Sequence, residues 1–214
     1  MSAQPVIKLE KFEVLDAENA LSELNSLSGL HSDLQLLMNF TENAGFTEVA
    51  WSAVGWQYTV EAAEDINPAD SDAPGPAVNS LTTRALFKGY TGGGGAAPSQ
   101  LAVGTVTATA GTNETIEHIS LEMAQSDFDR MIERQVENGA LVVVDGWWDR
   151  FRGCLGGCGG VCLAALGSCV GAGALPAILG CLAIRCGGCA AKCAACATCD
   201  CSWWCRWAAG CCRG

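Results

Sequence analysis

Apolar positions recur at helical spacing in two early stretches. In DAENALSELNSL, Asp16 can cap a helix whose Leu21 and Leu24 share a face. HSDLQLLMNFTENAG repeats the pattern, with Leu34, Leu37, Met38 and Thr41 directed inward and Gly45 placed as the stop. The period then changes to two. FTEVAWSAVGWQYTV, TTRALFKGY and QLAVGTVTATA alternate as strands do, the last through Leu101, Val103, Thr105 and Thr107. ETIEHISLEMA sets Ile116, His118 and Ser120 against Glu117, Ile119 and Leu121. SDFDRMIERQVENG reads as a third helix, capped by Ser126 and stopped by Gly139, before ALVVVDGWW closes the region as a strand. Acidic EDINPADSDAPGPA (64–77) and glycine-rich GGGGAAPS (92–99) read as connections. No Gly-Lys-Ser/Thr follows the four glycines, which excludes a phosphate loop. Residues 1–150 thus predict an α+β domain, a mostly antiparallel sheet with two or three helices.

Beyond that point the pattern is of another kind. Cys154, Cys158 and Cys162 are four apart and Cys169 follows seven later, so a helix would carry all of them on one stripe. Cys186, Cys189, Cys193 and Cys196 step by three, four and three, a second seam. VGAGALPAILGCLAI lies between, with Pro176 and glycines to turn the chain. This predicts a small helical hairpin whose cysteine stripes face each other. Cysteines four apart on one helix are poorly placed to bond each other, and partners across the hairpin are better placed.

Composition divides the chain at the same place. All fourteen cysteines lie from residue 154 onward: the eight above, with Cys181, Cys199, Cys201, Cys205, Cys211 and Cys212. Residues 1–150 carry a net charge of −15, from seven Lys/Arg and twenty-two Asp/Glu, whereas 151–214 carry +4, from five and one. Two units with different tasks follow: an acidic head and a basic, cysteine-rich tail. The acidity excludes nucleic acid as a partner of the head. His31 and His118 have no nucleophile or paired carboxylate at a telling spacing, so the head offers no catalytic site, and His118 on an alternating strand reads as a surface residue. Glu114, Glu117 and Glu122 read as a solvated acidic face. No enzyme activity and no cofactor are expected. The start MSAQPVIKLEKFEVLDAEN shows no basic n-region, no apolar h-region and no twin arginine, so an export route is not visible.

From Cys154 onward there are 61 residues rich in Gly and Ala. A core of that size rarely supplies more than about 3–5 kcal/mol. Disulfides of about 2–4 kcal/mol each would change the outcome, and an even number of cysteines permits complete pairing in about 10⁵ ways. Metal ligation is the alternative, because Cys186-x-x-Cys189, Cys193-x-x-Cys196, Cys196-x-x-Cys199 and Cys199-x-Cys201 have ligand spacing for zinc. The iron–sulfur run is incomplete: Cys201 follows Cys199 too early and no proline comes after it. Residues 153–184 contain no charge, long enough to span a bilayer as an anchored protein would, or to fold as a buried hairpin. Trp203, Trp204, Trp207, Arg206 and Arg213 suit a membrane interface, and anionic lipids would attract the basic tail.

An acidic head joined to CLGGCGGVCLAALGSCVGAGALPAILGCLAIRCGGCAAKCAACATCDC resembles the precursors of microhalocins, peptide antibiotics of haloarchaea cut from the C-terminal end of a longer chain. The resemblance covers about a quarter of the chain. It implies a secreted, disulfide-stapled bacteriocin acting on the membrane, or a membrane receptor, of competing cells. The head would remain as leader or immunity segment, possessing the charge to associate with its own tail. If the tail is released, the composition break places the cut near VDGWWDRFRGC, where Asp149, Arg150 and Arg152 are expected in an exposed joint, with an uncut linker as the alternative.

Overall fold

The computed structural model describes residues 7–66, 78–92, 99–124, 131–144, 146–172, 174–199 and 204–205. Of the connections expected at 64–77 and 92–99, residues 64–66, 92 and 99 belong to strands and the rest lie outside the described residues, as do Ser126, Cys201, Trp203, Arg206, Trp207, Cys211, Cys212 and Arg213.

Seven antiparallel strands form one sheet in sequence order: β1 (Ile7–Leu15), β2 (Phe46–Ile66), β3 (Val78–Gly92), β4 (Ser99–Ala110), β5 (Asn113–Ala124), β6 (Met131–Glu137) and β7 (Ala140–Val144). Helices α1 (Ala17–Ser28) and α2 (Ser32–Asn43) lie between β1 and β2 in sequence. Four more follow the sheet: α3 (Trp147–Gly157), α4 (Gly160–Cys169), α5 (Leu175–Cys186) and α6 (Gly188–Thr198). The α+β head and helical, cysteine-bearing tail expected from the pattern are both present.

The period of two explains the layering. On β3, Leu86 and Tyr90 join the α1–α2 core of Leu24, Leu34, Leu37 and Met38. Their alternates Leu81, Ala85 and Phe87 join a second core with residues of α3, α5 and α6. On β4, Leu101 and Val103 face the first core and Ala102, Val106 and Ala108 the second. The central strands are therefore apolar on both faces, as a sheet covered on both sides requires. Thr41 is buried as expected and donates its hydroxyl to the Leu37 carbonyl at 2.8 Å. Asp16 caps α1 by accepting from the Asn19 amide at 2.8 Å, and Gly45 ends α2 with φ of +83°.

Two expectations are corrected. The helix predicted over 126–139 is a strand through Met131–Glu137, paired to β5 and β7. Asn138 and Gly139 both have positive φ, 53° and 76°, and Glu137 pairs with Ala140. That is a two-residue hairpin turn, the geometry Asn-Gly favours. The joint predicted at VDGWWDRFRGC is helical from Trp147 onward, with Trp147, Trp148 and Phe151 buried. β1 adds a strand that the pattern reading does not name.

Candidate functional site: a nested cysteine ladder

Helix α3 is fixed first by aromatic burial. Trp147 and Phe151, one turn apart, stack with ring centroids 5.0 Å apart. The Trp147 indole Nε1 donates to Thr198 Oγ1 at 3.1 Å, and that hydroxyl donates to the Ala194 carbonyl at 2.9 Å. Arg150 donates through Nε and Nη2 to the Ala197 carbonyl, at 3.0 and 2.8 Å, satisfying an open carbonyl at the end of α6. Its Nη2 also meets Glu133 Oε2 at 3.1 Å. Glu133 is only 1% exposed, and burial raises its carboxyl above the usual range while Arg150 opposes the rise. Arg150, expected as a cleavage residue, thus ties α3 to α6 and β6, while Asp149 and Arg152 are exposed on the same helix.

With α3 and α6 held side by side, their one-turn cysteine pairs meet. Cys154 bonds Cys193 and Cys158 bonds Cys189, with Cα–Cα distances of 5.4 and 6.0 Å. Cys169 on α4 bonds Cys181 on α5 at 5.7 Å. Cys199 bonds Cys205 at 5.9 Å, so its partner is local. Cys196 is disulfide-bonded as well. These four Cα–Cα separations are ordinary for disulfides. Buried Ala190, Ala191, Ala194 and Ala195 add little bulk to α6. Cys162 and Cys186 are the free cysteines among the described residues.

The ladder bears on the metal-ligand spacings. The Sγ atoms of Cys158, Cys189 and Cys193 lie within 4.8 Å of one another. Each is already in a disulfide, so none offers a thiolate, which is the form that ligates. Cys189, Cys193 and Cys199 each bond a residue outside their own C-x-x-C spacing.

Helices α5 and α6 rest on the sheet. Gly180 faces Val54, where an added Cβ would stand 3.0 Å from the Val54 methyl, and Gly188 abuts Leu9. Trp204, expected at a membrane interface, is instead 0% exposed, and its Nε1 donates to Glu117 Oε1 at 3.2 Å. Glu117 and Glu122, read as a solvated face, both have partners, the latter an ion pair with Arg134 at 2.8 Å. Helix α4 packs mainly on α5 and α3 and leaves Val161 77% and Leu163 45% exposed, with Ile184 of α5 at 73%. Arg152 and Arg185 are exposed too, whereas Lys192 is half-buried and burial lowers its pKa. The uncharged run 153–184 is divided among α3, α4 and α5, and among the described residues no helix is long and apolar enough to cross a membrane.

The expected surface residue His118 is half-buried below the start of α2. Its ring lies 5.2 Å from that of His31, and Nδ1 has no hydrogen-bond partner among the described residues. Burial, reinforced by His31 and opposed by Asp33, lowers its pKa to about 4. A groove of about 400 Å³ beside α1 is lined by Arg84, Glu23, Thr82 and Thr107 among others, and the Arg84–Glu23 ion pair occupies part of that lining. Sequence reasoning located the cysteine seams but not the residues that align them. The signal for those was the Trp147–Phe151–Leu155 spacing, a helical stripe inside the segment read as a joint. Comparison with family models, curated proteins and solved structures finds no match to this chain.

Proposed function

We propose that the chain is the precursor of a disulfide-stapled, membrane-active antimicrobial peptide, with residues 151–214 as the active part and the head as leader or immunity segment. The observation that carries this reading is α4. GVCLAALGSC has no charged position, yet Val161 and Leu163 face outward on a cross-linked unit that also presents Ile184, Arg152 and Arg185. A water-facing helix ordinarily has a polar face. Exposed apolar and cationic residues on one unit are instead suited to the boundary of an anionic membrane.

The disulfides support the same reading. Cys154–Cys193, Cys158–Cys189 and Cys169–Cys181 join α3 to α6 and α4 to α5, all within the tail. None reaches the sheet, so covalent closure of these helices survives removal of the head. The sheet covers Leu179, Leu182 and Ala191, apolar residues that separation would expose. A head that shields this surface until release acts as a leader, and one that captures a returning peptide confers immunity.

Dye release from anionic lipid vesicles tests the proposal, using the full chain before and after proteolytic separation of its two parts. The separated tail is expected to release dye and inhibit growth of sensitive cells, the intact chain to do so weakly, and added head to suppress both. Cleavage inside α3 requires local opening of that helix, since a protease needs extended backbone. Failure of the separated, oxidised tail in both assays would sink the proposal.

A further inference from the structure

We propose that Cys162 on α4 and Cys186 at the end of α5 close as a disulfide, the rung between Cys158–Cys189 and Cys169–Cys181. The inference rests on nesting. Ascending from Cys154 through Cys158 to Cys169, the partners descend from Cys193 through Cys189 to Cys181. Cys162 and Cys186 stand at the one vacant level in that order, and they are the two free cysteines among the described residues. No crossing of chain segments is needed to join them. Cys162 is also the neighbour that acts on the Cys186 thiol, which places the two side chains near each other across the seam.

The chemistry is a two-electron oxidation by thiol–disulfide exchange with a small-molecule disulfide. Cys186, the more exposed of the two, attacks one sulfur as its thiolate, and the other sulfur leaves as a thiolate. Cys162 Sγ then displaces the remaining half from the mixed disulfide. The protein loses two protons and two electrons, and the oxidant departs as two thiols. Burial, with the contact to Cys162, pushes the Cys186 thiol up to about 12, so the folded chain holds little of the attacking form at neutral pH. This rung therefore closes after the others or during folding.

The proposal does not depend on antimicrobial activity, and its test does not use it. Full-length protein is exposed to excess oxidised glutathione in denaturant-free and folding conditions, then denatured and alkylated without reduction. Peptide mapping is expected to find Cys162 joined to Cys186, with neither alkylated. Either residue alkylated, or joined elsewhere, overturns the proposal. The Cys162→Ala chain is expected to leave Cys186 as an alkylatable thiol or as its glutathione mixed disulfide, whereas Cys186 joined to another cysteine of the chain refutes the pairing. Should that variant not fold, the wild-type map decides the matter alone.

Discussion

Removing one rung of the ladder should cost less than its sequence separation suggests. Cys154 and Cys193 are 39 residues apart, and closing an isolated loop of that size would stabilise by about 3.9 kcal/mol on the chain-entropy account. With Cys158–Cys189 in place, however, the unfolded chain is already short-circuited one turn away. The loop then closed by Cys154–Cys193 runs through about ten residues, which lowers the contribution to about 2.7 kcal/mol. Once Cys158–Cys189 is removed, the nearest closure becomes Cys169–Cys181 and the effective loop lengthens to about 28 residues. The same double substitution then costs about 3.6 kcal/mol, or about 3.1 with Cys162–Cys186 closed. Four oxidised chains provide the cycle: wild type, Cys154→Ala/Cys193→Ala, Cys158→Ala/Cys189→Ala and the quadruple variant. Alanine is chosen because Cys193 is buried and a serine hydroxyl there would lack a partner. Urea denaturation followed by tryptophan fluorescence gives each free energy. Equal costs in both backgrounds, or a single-rung loss below about 1 kcal/mol, would refute the reasoning.

Other expectations concern the sheet and its two covers. Arg150→Ala leaves the Ala197 carbonyl without these donors and the buried Glu133 without its cation, so unfolding free energy should fall by about 2–4 kcal/mol. Glu133→Gln in that background should recover part of the loss, and a denaturation series without recovery would show that the charge is not the cause. Gly104→Ala places a Cβ against the Phe87 ring and 2.5 Å from the Leu86 carbonyl oxygen at the sheet centre, predicting a loss of about 1–3 kcal/mol by thermal unfolding. His118 makes stability pH-dependent. Its folded pKa of about 4 lies below the unfolded value of about 6.5, so the unfolded chain binds the extra proton between them. Stability from this group is present above about pH 6.5 and lost as pH falls toward 4, by about 1–2 kcal/mol after allowing for solvent screening at a half-buried ring. His118→Gln should flatten that segment of the stability–pH curve, and an unchanged slope would contradict it.

The amino-acid pattern by itself determined the elements whose local and global preferences agree. Asp16 and Gly45 punctuate α1 and α2 with side-chain and backbone chemistry that needs no distant partner. The alternation in β2 to β5 survives because each of those strands presents an apolar set to a covered face. Cysteines one turn apart cannot readily bond each other, so cross-helix pairing was also legible, although the partners were not.

Only tertiary structure decided the rest. MIERQVE is rich in helix formers, but β5 and β7 offer it ladder pairing and Asn138–Gly139 supplies the turn, so long-range hydrogen bonding overrides propensity. WWDRF is uninformative alone and becomes helix because the sheet buries its indoles and α6 presents Ala197 and Thr198 to Arg150 and Trp147. Trp204 is apolar and near two arginines in sequence, which suits a membrane, yet Glu117 on β5 takes its indole N–H and the sheet removes it from solvent. Which cysteine meets which depends on the antiparallel placement of α3 on α6, and a sequence spacing carries no information about that. Periodicity specifies which side of an element is apolar; packing alone specifies what that side meets.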